Sequence, residues 1–214
     1  MNEKEIKIRE HILSSKPMSY LIVGKRGSGK TELAKRIVAT VKAEKKYIFS
    51  HNVFPEWNRE DVKYTHELPT IVDTFVKGCE DKKGVDLPPT VFVFDEMDLR
   101  KVSKTPEFTK LIVCGRHYNA TIIIIHRPTS DCASDEYDRA LHRFPPVIRV
   151  NLCNIVLTLV GKEDLRMLYE DYFRERDSFR EFVAVATETF SAKKYLIKSN
   201  VVLGDSLGYI SRGV

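Results

Sequence analysis

The segment that most constrains this chain is Gly24-Lys25-Arg26-Gly27-Ser28-Gly29-Lys30-Thr31, which fits the pattern GxxxxGK(S/T). It lies between an apolar, strand-like run at residues 18–23 and a helical stretch at residues 31–43. Glycines let successive backbone N–H groups turn toward an anionic phosphate chain, and the following helix N-terminus adds partial positive charge. We therefore assign all eight residues to a predicted nucleotide-binding loop. The alternative, a glycine turn that binds nothing, does not explain the strand before it and the helix after it.

Two residues of this loop have more specific expected roles. The Lys30 ammonium would reach the β- and γ-phosphates, and the Thr31 hydroxyl would bind Mg²⁺. A nucleotide with β- and γ-phosphates, together with Mg²⁺, is therefore the expected ligand.

A second motif is an apolar strand, Thr90 to Phe94, that ends in two acids, Asp95 and Glu96. A strand of this kind places Asp95 at the carboxyl edge of the sheet, where its carboxylate can hold the Mg²⁺ shell. Glu96 would then orient and deprotonate an attacking water. The alternative is that both acids only begin a solvated loop. The pair favours hydrolysis over transfer to a second substrate.

The strand at residues 121–125 places two further candidates. His126 follows it, so the imidazole is expected near the γ-phosphate, or else packed at a strand end. Arg116 precedes it, and a strand of this length rises roughly 17 to 20 Å, which puts Arg116 at the opposite edge of the sheet. It would be a structural or solvated arginine, or an arginine finger offered to the nucleotide of a neighbouring subunit. Arg127 competes for that role.

Short apolar runs alternate with helical stretches along the rest of the chain. Strands are also predicted at 47–50, 147–152 and 155–160, and helices at 2–14, 69–79, from 105 onward and at 163–174. Alternation of this kind predicts an α/β fold, with a mostly parallel sheet and helices on both faces.

Length and composition predict one domain. The 214 residues are 43% hydrophobic and 30% charged, which suits a single core. We expect a helical extension at 1–17 and one P-loop domain at 18–214.

No apolar leader or membrane-length run is evident, so we expect no secretion and no transmembrane segment. The net charge of +5 is weak evidence for a nucleic-acid partner, because Lys25, Arg26 and Lys30 already belong to the phosphate loop.

Together, the glycine loop, Phe94-Asp95-Glu96, the segment Gly115-Arg116-His117-Tyr118-Asn119 and His126-Arg127-Pro128 resemble the FtsK/HerA superfamily of P-loop ATPases. Within it, they look most like the viral genome-packaging ATPases related to the poxvirus enzyme. The resemblance covers roughly residues 18–175. One departure is His126, which stands where the family usually has Gln before Arg-Pro.

This resemblance implies a RecA-like core that hydrolyses ATP at the subunit boundaries of a homo-oligomeric ring, a hexamer or pentamer. The ring would move double-stranded DNA into a viral capsid, in contact with capsid or vertex proteins, in the host cytoplasm or at the virion. Lys30, Glu96, Arg116 and His126 are the expected catalytic residues. The basic residues Arg100, Lys101 and Lys104, on a predicted loop, would contact the phosphate backbone of DNA, or else belong to a solvated loop. The alternatives are an assembly or export ATPase that moves protein without DNA, and a small-molecule kinase.

Overall fold

The computed structural model describes residues 3–50, 57–58, 60–63, 65–82, 87–128, 144–174, 178–199 and 207–211. Within these ranges, eight strands form one sheet. The strands are β1 (Ser19–Val23), β2 (Lys45–Ser50), β3 (Val62–Lys63), β4 (Thr90–Asp95), β5 (Ala120–His126), β6 (Asn154–Leu157), β7 (Lys194–Ser199) and β8 (Leu207–Ser211).

The sheet has the strand order β3-β2-β4-β5-β1-β6-β7-β8. Six neighbouring strands, from β3 to β6, run parallel. The last two, β7 and β8, add antiparallel at the β6 edge. The predicted mostly parallel sheet is confirmed, and all parallel strands end at the same edge.

Helices connect the strands within the described ranges. They are α1 (Glu3–Ile12), α2 (Lys30–Val41), α3 (Leu68–Glu80), α4 (Leu99–Val102), α5 (Pro106–Cys114), α6 (Pro146–Asn151), α7 (Lys162–Leu168) and α8 (Phe179–Ser191). One π-helical turn, Tyr169–Phe173, continues α7. None of the helices in the described part is long and apolar enough to cross a membrane.

Two core layers cover the two faces of the sheet. Because side chains alternate along a strand, neighbouring residues such as Phe94 and Val93 enter opposite layers. One layer joins the sheet to α1 and α2. The other joins it to α3 and to the helices from α4 to α8. The predicted helices on both faces are thus confirmed.

The predicted strand at residues 147–152 is wrong, because this segment forms the helix α6. Its β-branched residues suggested a strand, but Pro145 and Pro146 precede it, and Pro146 occupies the first turn of the helix, where no N–H is needed. Only one side is buried: Ile148 is inaccessible, whereas Val150 is 77% exposed. A one-sided pattern of this kind belongs to a surface helix.

Two further predictions need adjustment. Thr105 precedes α5, but its hydroxyl donates to the carbonyl of Val102 at 2.7 Å instead of capping the helix. The predicted loop at residues 100–104 is partly helical, since α4 ends at Val102. The other predicted strands and helices are present, with ends shifted by a few residues.

The helix α1 packs on the sheet through Ile8 and Ile12, both buried in the layer that also holds α2. His11 anchors the same helix, since its Nε2 lies 3.2 Å from Oδ1 of Asn154 and 3.1 Å from Oγ of Ser199. The division into an extension at 1–17 and a domain at 18–214 stays a prediction.

Candidate nucleotide-binding site

The predicted phosphate loop joins β1 to α2 at the carboxyl edge of the sheet. Gly27 and Gly29 have φ values of 71° and 88°, in the left-handed region that glycine adopts without strain. Gly29 immediately precedes α2. The loop therefore has the backbone turn that presents N–H groups to phosphate oxygens at a helix N-terminus.

Thr158, just after β6, supports this loop from the side. Its hydroxyl donates to the carbonyl of Val23 at 3.0 Å and lies 2.6 Å from the hydroxyl of Ser28. A Cβ on Gly24 would lie 1.6 Å from the Thr158 hydroxyl, so no side chain fits there. Gly24 is thus required by close packing, a reason that the motif alone does not reveal.

Tyr195, on the antiparallel strand β7, supports the other end of the loop. Its hydroxyl donates to the carbonyl of Gly29 at 3.2 Å, and the side chain is almost fully buried. A Cβ on Gly29 would meet this hydroxyl at 2.9 Å. Sequence analysis missed Thr158 and Tyr195, because partners more than a hundred residues away leave no local signal.

Lys30 is the most buried cation of the site, with 5% of its surface exposed. Its Nζ donates to the carbonyl of Lys25 at 2.9 Å and lies 3.9 Å from Oε1 of Glu96. Burial lowers the pKa of Lys30, whereas the nearby Glu96 and Asp95 carboxylates raise it and Arg127 lowers it further. The structure therefore brings Lys30 together with both predicted acids.

The two acids stand at the end of β4, which is separated from β1 by β5. Asp95 is 2% exposed, and its Oδ2 accepts a hydrogen bond of 2.9 Å from the indole Nε1 of Trp57. The Glu96 side chain is one-third exposed, and its φ of 52° is unusual for a non-glycine residue. Asp95 is therefore buried and hydrogen-bonded, whereas the Glu96 side chain is partly open to solvent.

His126 ends β5, the strand between the phosphate loop and the acids. Its carbonyl accepts a hydrogen bond from the Gly24 N–H at 3.2 Å, so its backbone adjoins the loop at the carboxyl edge of the sheet. The imidazole packs edge-on against Phe144, with 4.8 Å between ring centroids. This packing agrees with the expectation of a histidine at a strand end, and a phosphate-sensing role stays a prediction.

Arg116 lies far from this cluster. It is exposed on a 3₁₀ turn, Gly115–Tyr118, at the amino end of β5. The seven residues of β5 span about 20 Å, so Arg116 is at the opposite edge from His126, as the sequence predicted. Arg127 is also exposed but follows His126 directly, and its charge acts on Lys30.

The remaining predicted ligands line the loop. Lys25 is half-buried, Arg26 is exposed, and Thr31 is half-buried in the first turn of α2. Among the described residues, no group of three or more His, Cys, Asp or Glu side chains could hold a metal ion unaided. Mg²⁺ commonly binds through one or two protein oxygens, several waters and substrate phosphates. The Thr31 hydroxyl and Asp95 carboxylate therefore fit a magnesium ion that binds together with a nucleotide.

Solved structures match this architecture. B204, the DNA-packaging ATPase from Sulfolobus Turreted Icosahedral Virus, has a TM-score of 0.60 and 15% identity over 91% of this chain and 97% of that chain. The genome packaging NTPase B204 from Sulfolobus turreted icosahedral virus 2, in complex with ATP-gammaS, has a TM-score of 0.55 and 16% identity over 90% and 96%. The chain shares its overall fold with these two proteins.

A protein of another kind has a similar fold. The pCW3 conjugation coupling protein TcpA, in its monomer form with ATPgS, has a TM-score of 0.52 and 13% identity over 87% of this chain and 58% of that chain. No protein-family model matches the sequence, and no curated protein matches it either. The structural neighbours thus confirm the predicted α/β RecA-like core at the level of fold.

The predicted basic segment at residues 100–104 is only partly described. Lys101, on α4, and Lys104, just after it, are both exposed. Nζ of Lys101 lies 3.5 Å from Oδ2 of Asp98, in a solvent-exposed pair that costs little to break. The side chain of Arg100 lies outside the described part of the chain.

Proposed function

We propose that this chain is an ATPase that binds ATP at the carboxyl edge of its sheet and hydrolyses it with water. The observation that carries this proposal is the short distance between two side chains: Nζ of the buried Lys30 lies 3.9 Å from Oε1 of Glu96. Both lie beside the glycine loop, whose backbone turn suits phosphate binding. A phosphate-binding lysine and a carboxylate one-third open to solvent are the two groups that hydrolysis needs at one place.

Each residue then has a defined task. Backbone N–H groups from Gly24 to Thr31 hold the phosphates, and Lys30 exchanges its contact with the Lys25 carbonyl for one with the β- and γ-phosphates. Thr31 and Asp95 would hold Mg²⁺, which neutralises the charge that develops on the phosphates. Glu96 accepts a proton from the attacking water as its oxygen bonds to the γ-phosphorus and the bond to the β–γ bridging oxygen breaks.

We further propose that the active form is a homo-oligomeric ring, a hexamer or pentamer. Arg116 supports this, because its exposed position at the far edge of the sheet leaves it unable to reach the nucleotide of its own subunit. In a ring it would reach the nucleotide of the next subunit and stabilise the charge of the transition state. Residues 18–214 would form the repeating P-loop domain, with 1–17 as its extension.

The proposed work of this ring is the translocation of double-stranded DNA into a viral capsid, together with capsid or vertex proteins, in the host cytoplasm or at the virion. Support comes from the fold, which is shared with two proteins described as DNA-packaging or genome-packaging enzymes. The exposed Lys101 and Lys104 give α4 and its turn a positive surface suited to phosphate backbones.

The experiment that tests this function is ATP hydrolysis measured with and without duplex DNA across a range of salt concentrations. A DNA translocase should be stimulated by duplex DNA and lose that stimulation as salt rises, because phosphate contacts release counterions. An export ATPase that moves protein would hydrolyse ATP at the same rate with and without DNA. Phosphate transferred to an acceptor, with no free phosphate released, would instead identify a kinase.

A further inference from the structure

Trp57 is the one tryptophan of the sequence, and its indole contacts the acid predicted to serve the magnesium site. Nε1 of Trp57 donates a hydrogen bond of 2.9 Å to Oδ2 of Asp95. Both residues are buried, at 6% and 2% exposure. An indole N–H only donates, and a hydrogen bond to a carboxylate in a dry environment is among the stronger kinds.

The surroundings hold the indole in a fixed position. Trp57 belongs to the core layer that includes Leu33 and Ile37 of α2 and Val93 of β4. The ring therefore lies in the core layer that also holds the helix beginning at the phosphate loop and the strand that carries Asp95. A rigid donor of this kind restricts rotation of the Asp95 carboxylate.

A carboxylate that cannot rotate freely is suited to binding Mg²⁺. The ion demands near-ideal octahedral geometry, so a carboxylate that contacts it or its waters must hold one orientation. Groups that fix the orientation of a metal-binding side chain commonly contribute to metal affinity without touching the metal. The contact between Trp57 and Asp95 has this arrangement.

We infer that Trp57 is a positioning residue that orients the Asp95 carboxylate for Mg²⁺, and that its indole responds when Mg²⁺ joins the bound nucleotide. This inference rests on the proposed function. It adds a residue outside both nucleotide motifs, on a segment between β2 and β3.

The first test uses the fluorescence of the unmodified full chain, in which all tryptophan emission comes from Trp57. ATPγS is added in excess EDTA, and Mg²⁺ is then titrated in. We expect the emission of Trp57 to change along the Mg²⁺ titration, with the same midpoint as the tightening of nucleotide binding measured by calorimetry. Constant emission across a titration in which Mg²⁺ does tighten binding would overturn the inference.

The second test removes the donor. Trp57→Phe should raise the Mg²⁺ concentration needed to tighten ATPγS binding by about tenfold, and leave ATPγS affinity in EDTA unchanged. Because the smaller ring also leaves a cavity, a chain carrying benzothienylalanine at position 57 provides the sharper variant. Its ring has nearly the size of indole but lacks the N–H, so it should show the same shift while the chain stays folded.

Val91→Ala is the matched control. Val91 lies on β4 and in the same core layer as Trp57, so its truncation lowers stability from the same region without removing the hydrogen bond. An equal Mg²⁺ shift in Val91→Ala, or none in the benzothienylalanine chain, would show that Trp57 acts by packing alone. If the unmodified chain does not bind ATPγS with or without Mg²⁺, the proposed function itself fails.

Discussion

The hydroxyl of Thr158 lies 2.6 Å from that of Ser28 and donates to the carbonyl of Val23 at 3.0 Å. Since a hydroxyl has one proton, Ser28 must donate to Thr158 when Thr158 donates to Val23. This pair joins the phosphate loop to the end of β6. The shape of the loop therefore depends on a residue more than a hundred positions further along the chain.

Thr158→Val should destabilise the protein by about 1–3 kcal/mol, because it leaves the buried Ser28 hydroxyl without this partner. ATPγS affinity should fall as well, since the loop loses its lateral support. Unfolding in urea and calorimetry measure the two effects. Thr121→Val is the matched control: the buried Thr121 hydroxyl has no hydrogen-bond partner among the residues that the structure describes, so its removal should leave stability equal or higher. Equal losses in both variants would contradict this account.

Gly24→Ala should prevent nucleotide binding and lower the melting temperature. The new methyl group would lie 1.6 Å from the Thr158 hydroxyl, so either β6 or the loop must move. Gly78→Ala is the comparison, because Gly78 lies within α3 and a Cβ there meets nothing within 4 Å. That change should stabilise the helix by about 0.5–1 kcal/mol. A Gly24→Ala chain with normal ATPγS affinity would show that the loop tolerates a side chain at this position.

Glu96→Gln should lower the rate of ATP hydrolysis by about 10²–10⁴-fold, because the amide cannot accept the proton of water. Nucleotide binding should persist, since Lys30 and the loop are unchanged. Phosphate release and ATPγS calorimetry separate these effects. Asp73→Asn removes a surface carboxylate that pairs with Lys77 at 2.7 Å and should leave both measurements unaltered. Full hydrolysis by the Glu96→Gln chain would exclude Glu96 as the base.

Arg116→Ala and Lys30→Ala subunits should each be inactive alone and partly active when mixed. In a mixed ring, a Lys30→Ala subunit can donate Arg116 to the intact nucleotide site of an Arg116→Ala neighbour. Phosphate release at several mixing ratios measures this rescue. Full activity of Arg116→Ala alone would remove the arginine from the mechanism, and Arg127→Ala should then be tested in the same way.

His11 should make stability depend on pH. Burial lowers its pKa, the hydrogen bond that His11 Nε2 donates to the amide oxygen of Asn154 partly opposes this, and the nearby Lys16 lowers the pKa further. The unfolded chain therefore takes up a proton more readily than the folded one, so the free energy of unfolding falls as pH drops below about 6.5. Urea unfolding between about pH 7 and 5 should show a smaller loss in His11→Gln than in the unmodified chain. Equal slopes would exclude His11 as the group responsible.

Much of this site could be predicted because its signals are local. The strand–loop–helix unit around Lys30, the apolar strand ending in Asp95 and the placement of Arg116 and His126 at opposite ends of β5 follow from residue type and strand periodicity.

The rest depends on contacts between distant segments. Trp57, Thr158 and Tyr195 reach the site through tertiary packing, which no short pattern encodes. The sequence predicts a strand where α6 lies because β-branched residues favour strands, although Pro145 and Pro146 stand at the start of the segment. The helix α8 and the antiparallel strands β7 and β8 were not predicted, although Ser178 and Glu181 form a capping box at the start of α8.

The strand β5 lies between β1 and β4, so it fixes the distance between these two strands. Neighbouring strands lie about 4.8 Å apart, so the backbone ladder, and not the length of any side chain, sets the separation between the phosphate loop and the acids. Core substitutions along β5 should thus change the stability of the sheet and leave the distance between the glycine loop and the two acids unchanged. Such decoupling allows two chains with 15% identity to keep one architecture.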